Sequence, residues 1–477
     1  MLKPLRVLVV GASIAGPTTA YWLARAGAAV TVVERFPALR TAGQAVDIRT
    51  AGVTVMRRMK GMEDAVRAKS TTLAGVSFVN SAGRSFGTIR PTGNPEQQSL
   101  VSEYEIFRGD LAGVLFGLTG GNDATSNRGI SQGQDQGDHP GHNRNRAQDD
   151  DHGHNLNQAQ GDTHDHDHDQ IQKIKYVFGE QVAGIQQQEN LDGPVTVDFM
   201  NGKLPTTEYD LVVACDGATS RTRALGLDCQ VRDHVHPVNL WAAYFSLPGD
   251  LLGGSKVGRA YTAVGGRFIA LGPDPDPAGV TRVTLMSVHP RKDHNAPIPF
   301  REAAAKGDEA LKRHVAARFA GAGWKTDQVL RLMMDSASDF YASEVVQVKL
   351  PDGLSKGRFV LVGDAGYAAG PTGGGTTLAL AGGYVLAGEI CKHKGDIAAG
   401  LRGYEQTMRP IITDLQKIPP LIPAVLAPQT VWGIWLRNNM FRLIARSGIM
   451  EFAHRWFGNA FAEGDKYRLP EYEWVRR

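Results

Sequence analysis

Val7-Leu8-Val9-Val10-Gly11-Ala12-Ser13-Ile14-Ala15-Gly16-Pro17 lies close to the start of the chain, and its reading decides the fold. The apolar, mostly β-branched run Val7 to Val10 spells a strand buried on both faces of a parallel sheet. Gly11 permits a tight turn out of that strand, and Gly16 lets the next helix, expected over Pro17 to Ala26, pack closely on the sheet. Pro17 suits the first turn of that helix, where its missing N–H costs little. The free N–H groups at the helix start, around Ala15 and Gly16, suit a pyrophosphate. A second strand, Val30 to Val33, ends at Glu34, about 20 residues beyond the turn, where an acid can bond ribose hydroxyls. Ser13 stands where a middle glycine is usual, and its small side chain brings an extra group toward the phosphates. Strand, turn, helix, second strand and acid together specify a dinucleotide-binding unit.

Two later stretches repeat the logic of a buried strand followed by a glycine turn. Tyr209-Asp210-Leu211-Val212-Val213-Ala214-Cys215 runs into Asp216-Gly217-Ala218-Thr219-Ser220-Arg221-Thr222-Arg223. Arg358-Phe359-Val360-Leu361-Val362 runs into Gly363-Asp364, where a carboxylate can accept a hydrogen bond from a ligand hydroxyl. Pro371-Thr372-Gly373-Gly374-Gly375 then enters an Ala/Gly/Leu-rich helix, Thr377 to Ile390. Small residues at Gly374 and Gly375 let backbone approach a flat ligand, and a helix start supplies positive potential to an anionic one. A fourth stretch, Glu105-Ile106-Phe107-Arg108-Gly109-Asp110-Leu111-Ala112, sets Arg108 at the start of a helix; alone it reads equally as a solvated charge.

In order and spacing, the set resembles the para-hydroxybenzoate hydroxylase-like, group A flavin monooxygenases. It is most similar to the branch of the tetracycline-inactivating monooxygenase and fungal secondary-metabolite hydroxylases. The resemblance covers residues 1 to about 119 and 173 to about 415 and implies bound FAD, with NADPH or NADH as electron donor and O2 as co-substrate. Glu34 and Arg35 would face the adenosine part of FAD, and Gly43 to Asp47 would pass near the isoalloxazine, with Asp47 a contact. Arg108, Asp216 and Asp364 would complete the cofactor shell beside Gly11, Ser13, Ala15, Gly16, Gly374 and Gly375. Arg40 matches a position tied to the nicotinamide cofactor. Gly366-Tyr367 departs from the Ala-His of many relatives.

The implied fold class is α/β: a Rossmann-type FAD-binding domain, a parallel sheet with crossover helices, interleaved with a mixed-sheet substrate domain, plus C-terminal helices. Residues 1–119, 173–228 and 351–415 are assigned to the FAD domain, 229–350 to the substrate domain and 416–477 to a helical extension. The intervening residues 120–172 are rich in Gly, Asn, Gln, Asp and His, with too few apolar residues to offset ordering entropy, so a disordered insertion is expected. Seven of the fourteen histidines lie there. No metal site is expected, because alternating His and Asp in a floppy chain preset no geometry.

With 477 residues and a formal net charge of +3, the chain is large enough for two or three domains and gives no steer toward nucleic acid. Three separated cysteines, Cys215, Cys229 and Cys391, argue against a disulfide framework, and no secretory signal or spanning segment is evident, so a cytoplasmic monomer or homodimer is expected. Val431 to Met450 reads as an amphipathic helix packed on the core, lying on a membrane or covering the substrate cavity. In the middle region, Trp241, Tyr244 and Arg267 are pocket-lining candidates that read equally as packing, and His289 is a candidate base for a phenol or a surface histidine.

The function implied is hydroxylation of an aromatic or polyketide-like small molecule by a flavin hydroperoxide, which requires no protein nucleophile. Baeyer–Villiger insertion, epoxidation and an inactive flavin-binding scaffold remain open at this point.

Overall fold

The run Val7 to Val10 forms the strand Arg6–Val10 at the centre of a six-stranded sheet. Ala29–Glu34 pairs in parallel on one side of it, followed by Lys175–Phe178; Leu211–Ala214 and Phe359–Leu361 pair in parallel on the other. Ser355–Lys356 closes that edge antiparallel. Val7, Leu8 and Val9 are fully buried, as two-sided covering by helices requires. One face carries the helices Ala15–Arg25 and Gly375–Lys392, the latter enclosed along nearly its whole length. The computed structural model describes residues 4–40, 43–71, 73–91, 102–121, 174–188, 193–275, 279–293, 295–337, 339–418, 427–446 and 467–474. Most of the insertion at 120–172, and much of the extension at 416–477, therefore lie outside the described residues.

A second sheet has seven strands in the order Tyr341–Val348, Val235–Leu247, Thr281–Val288, Arg267–Pro273, Val257–Ala263, Gly75–Val79 and Ser85–Ile89. The last two come from residues 1–119, the stretch assigned to the FAD domain from sequence. Gly75–Val79 pairs in parallel with Val257–Ala263, the one parallel contact in an otherwise antiparallel sheet. This second sheet is thus assembled from two separated pieces of chain. Its outer face is covered by the helices Ile298–Ala305, Asp308–Phe319 and Thr326–Ser336 through Phe300, Val315, Phe319 and Met333.

The helix Val431–Arg446 lies along the short edge of this sheet. Its buried Arg437 donates to Thr262 Oγ1 at 2.9 Å, and Phe441 packs 5.1 Å from the ring of Phe78. Among the described residues, no helix is long and apolar enough to cross a membrane.

Candidate functional site

The four sequence signals converge at one place. Val10, Ala214 and Leu361 are register partners at the carboxyl ends of adjacent parallel strands, and Val33 pairs with Val10 on the other side. Gly11, Asp216, Gly363-Asp364 and Glu34 follow those ends, at the crevice where the chain departs in opposite directions from the central strand.

The glycine turn is close-packed. Gly11 has φ +108°, and a Cβ there would lie 2.6 Å from the carbonyl oxygen of Cys215. A Cβ on Gly16 would lie 1.8 Å from the carbonyl oxygen of Gly11, so only hydrogen fits. Ala12 N–H donates to Glu34 Oε2 at 2.9 Å and Phe36 N–H to Oε1 at 3.1 Å, tying the acid to the turn. The helix Ala15–Arg25 has no capping side chain, which leaves its first N–H groups for an anion. Ser13 is half-buried in this turn.

The second motif is engaged with its own loop. Ser220 Oγ donates to Asp216 Oδ1, and Thr222 N–H and Oγ1 donate to Oδ2 at 3.2 and 3.0 Å. Ser220 in turn caps the helix Arg221–Leu227 by accepting from Arg223 N–H. Arg223 is fully buried and donates to the carbonyls of Ala365 and Val231, each at 2.7 Å, which locks the second motif to the third.

The third motif carries the open acid. Gly363 has φ +67°, and a Cβ there would stand 2.8 Å from that of Ala15, so first and third motifs touch. Asp364 keeps accessible surface at the end of its strand, although protein crowds it closely. Burial pushes its carboxyl above the ordinary range, and Arg108 opposes only in part. Gly375 lies beside Asp364, its Cβ direction 3.8 Å from Oδ1, and Gly374 precedes the helix start. Tyr367 turns into the core, its hydroxyl 2.9 Å from that of Tyr404, and Gly366 leaves no room for a methyl beside Leu361. The Gly-Tyr departure is thus a paired change in packing, at the wall of a cavity that Pro371 also borders.

On the far wall, the ribbon Ala45–Asp47 pairs antiparallel with Glu105–Phe107, which leads directly into the helix Arg108–Leu118. Asp47 accepts from Arg49 at 3.0 Å, and burial holds its carboxyl above the usual range. Arg35 is exposed, and both it and Arg40 lie against the Phe36 ring, at 4.7 and 4.9 Å. Arg40 also lies 5.8 Å from the ring of Tyr341; burial first, then Arg108, lowers its pKa. Among the described residues, the buried Oε1 of Gln44 has no hydrogen-bond partner. This unanswered acceptor, the glycine cradle and the cluster of Arg108 with Asp364 fit a dinucleotide-linked, hydrogen-bonding planar group such as FAD.

Pleat parity separates the substrate candidates. Tyr244 faces the ribbon, with Thr284 as its strand partner, and stacks 6.4 Å from Tyr341. Trp241 points the other way, under the covering helices, 2% exposed and 5.0 Å from Phe300. Arg267 is on that side too, donating to the carbonyls of Val264 and Ala320. So is His289, whose Nε2 is 3.0 Å from Ser287 Oγ, with burial and then Arg318 lowering its pKa. Successive side chains alternate faces, so these three candidates pack against helices and line no chamber with Tyr244.

A cavity of about 190 Å³ lies between ribbon and sheet, bounded by Gln44, Thr71, Glu105, Phe107, Tyr244 and Arg282. Arg282 reaches from the sheet to stand 4.3 Å over the Phe107 ring, held by Asp274, Ser246 and Asp339. At the other end of the same sheet face, Leu240 and Val288 border a larger cavity of about 710 Å³ against Pro371. Glu105 and Gln44 lie within stretches that the sequence marked, without a role of their own, whereas Tyr341 and Arg282 carry no signal beyond their places in the strands Tyr341–Val348 and Thr281–Val288.

The FAD binding domain family matches residues 4–415. The chain is 31% identical over 476 residues to monooxygenase CTB7 of Cercospora beticola, covering 98% of this chain and 97% of that protein. It is 29% identical over 468 residues to the FAD-dependent monooxygenase asL4 of Sarocladium schorii, covering 93% of each. The crystal structure of tetracycline destructase Tet(55) superposes with a TM-score of 0.67 at 27% identity, over 99% of this chain and 100% of that one. With the motifs converging on one crevice, these matches show that the chain belongs to the FAD-binding-domain family of flavin-dependent monooxygenases.

Proposed function

We propose that the enzyme consumes NADPH or NADH to hydroxylate an aromatic or polyketide-like small molecule, as a cytoplasmic monomer or homodimer serving secondary-metabolite biosynthesis. The observation that carries this reading is the apolar, aromatic sheet face opposite the FAD crevice. Leu240, Ala242 and Tyr244 share that face, and four residues of strand span about 13 Å, enough for a fused-ring substrate between the two cavities. Bound FAD would supply the redox and oxygen-activating chemistry, with the pyridine nucleotide as electron source.

The chain's own residues position and enclose. The glycine turn and the open helix start would hold the pyrophosphate, Glu34 and Arg35 the adenosine end, and Asp364 would accept from the ribityl chain. Arg108, Asp47 and Gln44 border the ring. Arg40, half-buried near Arg108 with their like charges in conflict, favours an anionic visitor such as the nicotinamide cofactor's phosphates. Arg282 over Phe107 fixes sheet and ribbon together and keeps water from the chamber.

The test is NADPH-dependent oxygen uptake with a panel of phenols and polyketides, followed by product mass spectrometry and NMR. A gain of one oxygen on an unchanged carbon skeleton is expected. Oxygen inserted between two carbons, an epoxide product, or no turnover with any donor would overturn hydroxylation.

A further inference from the structure

Asp47 and Glu105 stand directly opposite each other on the antiparallel ribbon. The pleat sends both to one face with Ala45 and Phe107, while Ile106 points into the core and is fully buried. Glu105 and Phe107 on that face form part of the cavity wall, together with Gly43 and Gln44. Thr71 grips Glu105 twice: its N–H donates to the Glu105 carbonyl at 2.8 Å and its hydroxyl to Oε2 at 2.6 Å. Arg49 directs both Nε, at 3.2 Å, and Nη2, at 3.0 Å, to Asp47 Oδ2, so the nearby cation is engaged with the other carboxyl. Across the cavity stand Tyr244, Arg259, Arg282 and Asp339, with Arg282 held by Asp274 and Asp339. Burial, then the Asp47 charge, raises the Glu105 pKa to about 7, against smaller opposing effects of Thr71 and Arg49. One acid of the pair is thus neutralised by an arginine, and the other is left to exchange a proton near neutrality.

We propose that Glu105 is the proton acceptor that balances the charge arriving when bound FAD is reduced. A hydride donor passes two electrons and one proton to the flavin, which gains one negative charge. The Glu105 carboxylate takes a second proton from solvent and becomes the neutral acid, so the net charge of the chamber is unchanged. Reoxidation returns that proton. The inference rests on the placement of FAD above, with Asp47 beside the ring, and needs no particular substrate.

The test is the midpoint potential of the FAD-loaded protein against pH, read from flavin absorbance during anaerobic dithionite titration. One proton per two electrons gives a slope of about 30 mV per pH unit, and two protons give about 59 mV. The wild-type slope is expected near the smaller value below about pH 7, where Glu105 is already protonated, and to steepen toward the larger one above it. Glu105→Gln is expected to keep the smaller slope throughout. Thr71→Val, which removes a hydrogen bond favouring the ionised carboxyl, is expected to move the onset of steepening to higher pH, and it serves if Glu105→Gln does not fold. Steepening that persists in Glu105→Gln, or identical profiles in wild type and Thr71→Val, would overturn the assignment. Wild-type protein that takes up no FAD would overturn the cofactor placement as well, whereas the identity of the hydroxylated substrate does not enter the measurement.

Discussion

Asp364→Asn should separate what the third motif does for the cofactor from what it costs the fold. Asp364 keeps accessible surface, yet desolvation by the protein around it raises its pKa despite the opposing charge of Arg108. A carboxyl whose folded pKa lies above its unfolded value of about 3.9 favours folding least when ionised. Its penalty is absent in acid, grows as pH rises through the interval between the two values, and is fully present at neutral pH. Asparagine has the same shape and no charge, so the flavin-free variant should melt above wild type at pH 7, with the gap closing toward pH 4. FAD should respond in the opposite direction. A carboxylate accepting from a ligand hydroxyl contributes about 1.5–3 kcal/mol, or about 10- to 150-fold in affinity. Flavin-free protein would be followed by differential scanning calorimetry at both pH values, and FAD binding by fluorescence quenching. A flavin-free variant that melts at or below wild type at pH 7, or FAD affinity within about twofold of wild type, would refute the assignment of Asp364 as an open acid held for the ligand.

Gly16→Ala places a methyl 1.8 Å from the Gly11 carbonyl oxygen, so the turn must open. The purified variant should retain little flavin and lose about 1–3 kcal/mol or more of stability, read from the flavin-to-protein ratio and the melting temperature. Arg223→Met keeps apolar volume but leaves the carbonyls of Ala365 and Val231 without their donor. The urea midpoint should fall by an amount equivalent to about 3–5 kcal/mol, and an unchanged midpoint would remove Arg223 from its bridging role. Deleting residues 122–170 should leave folding and flavin content intact: the Thr119 hydroxyl lies 2.7 Å from that of Tyr176, and Phe116 packs 4.7 Å from the same ring. The chain thus leaves and returns at nearly one point, and an insoluble or flavin-free deletion protein would make the segment structural.

The legible parts of this molecule are those in which a residue acts through its own local backbone. The long helix Gly375–Lys392 was foreseen within two residues at either end. The turn at Gly11 and Gly16 was foreseen with its reasons, because strand, turn and helix are contiguous and each glycine's task is steric. What escaped depends on distant partners. Trp241 and Tyr244 lie three residues apart on one strand, and either could have faced the ligand. The choice was made by helices between residues 298 and 336, which cover one face of the sheet. Gly75–Val79, inside the span assigned to the FAD domain, joins the second sheet, and no local signal marked this because its partner, Val257–Ala263, lies far along the chain.

Asp216 and Arg223 show a further limit. Both belong to a motif associated with cofactor binding, yet the carboxylate is engaged by Ser220 and Thr222, and the guanidinium by carbonyls of its own and a neighbouring loop. Their work is to hold the second motif against the third, so that Asp364 and the Gly363 turn meet Ala15 at contact distance. Glu105 is the converse case. It carries no motif of its own, and its chemistry arises from pairing with Asp47 across the ribbon and from a single hydroxyl on Thr71. Motif spacing in this chain therefore marks where the cofactor crevice is built, while proton chemistry falls to side chains whose environment only the assembled sheet and ribbon create.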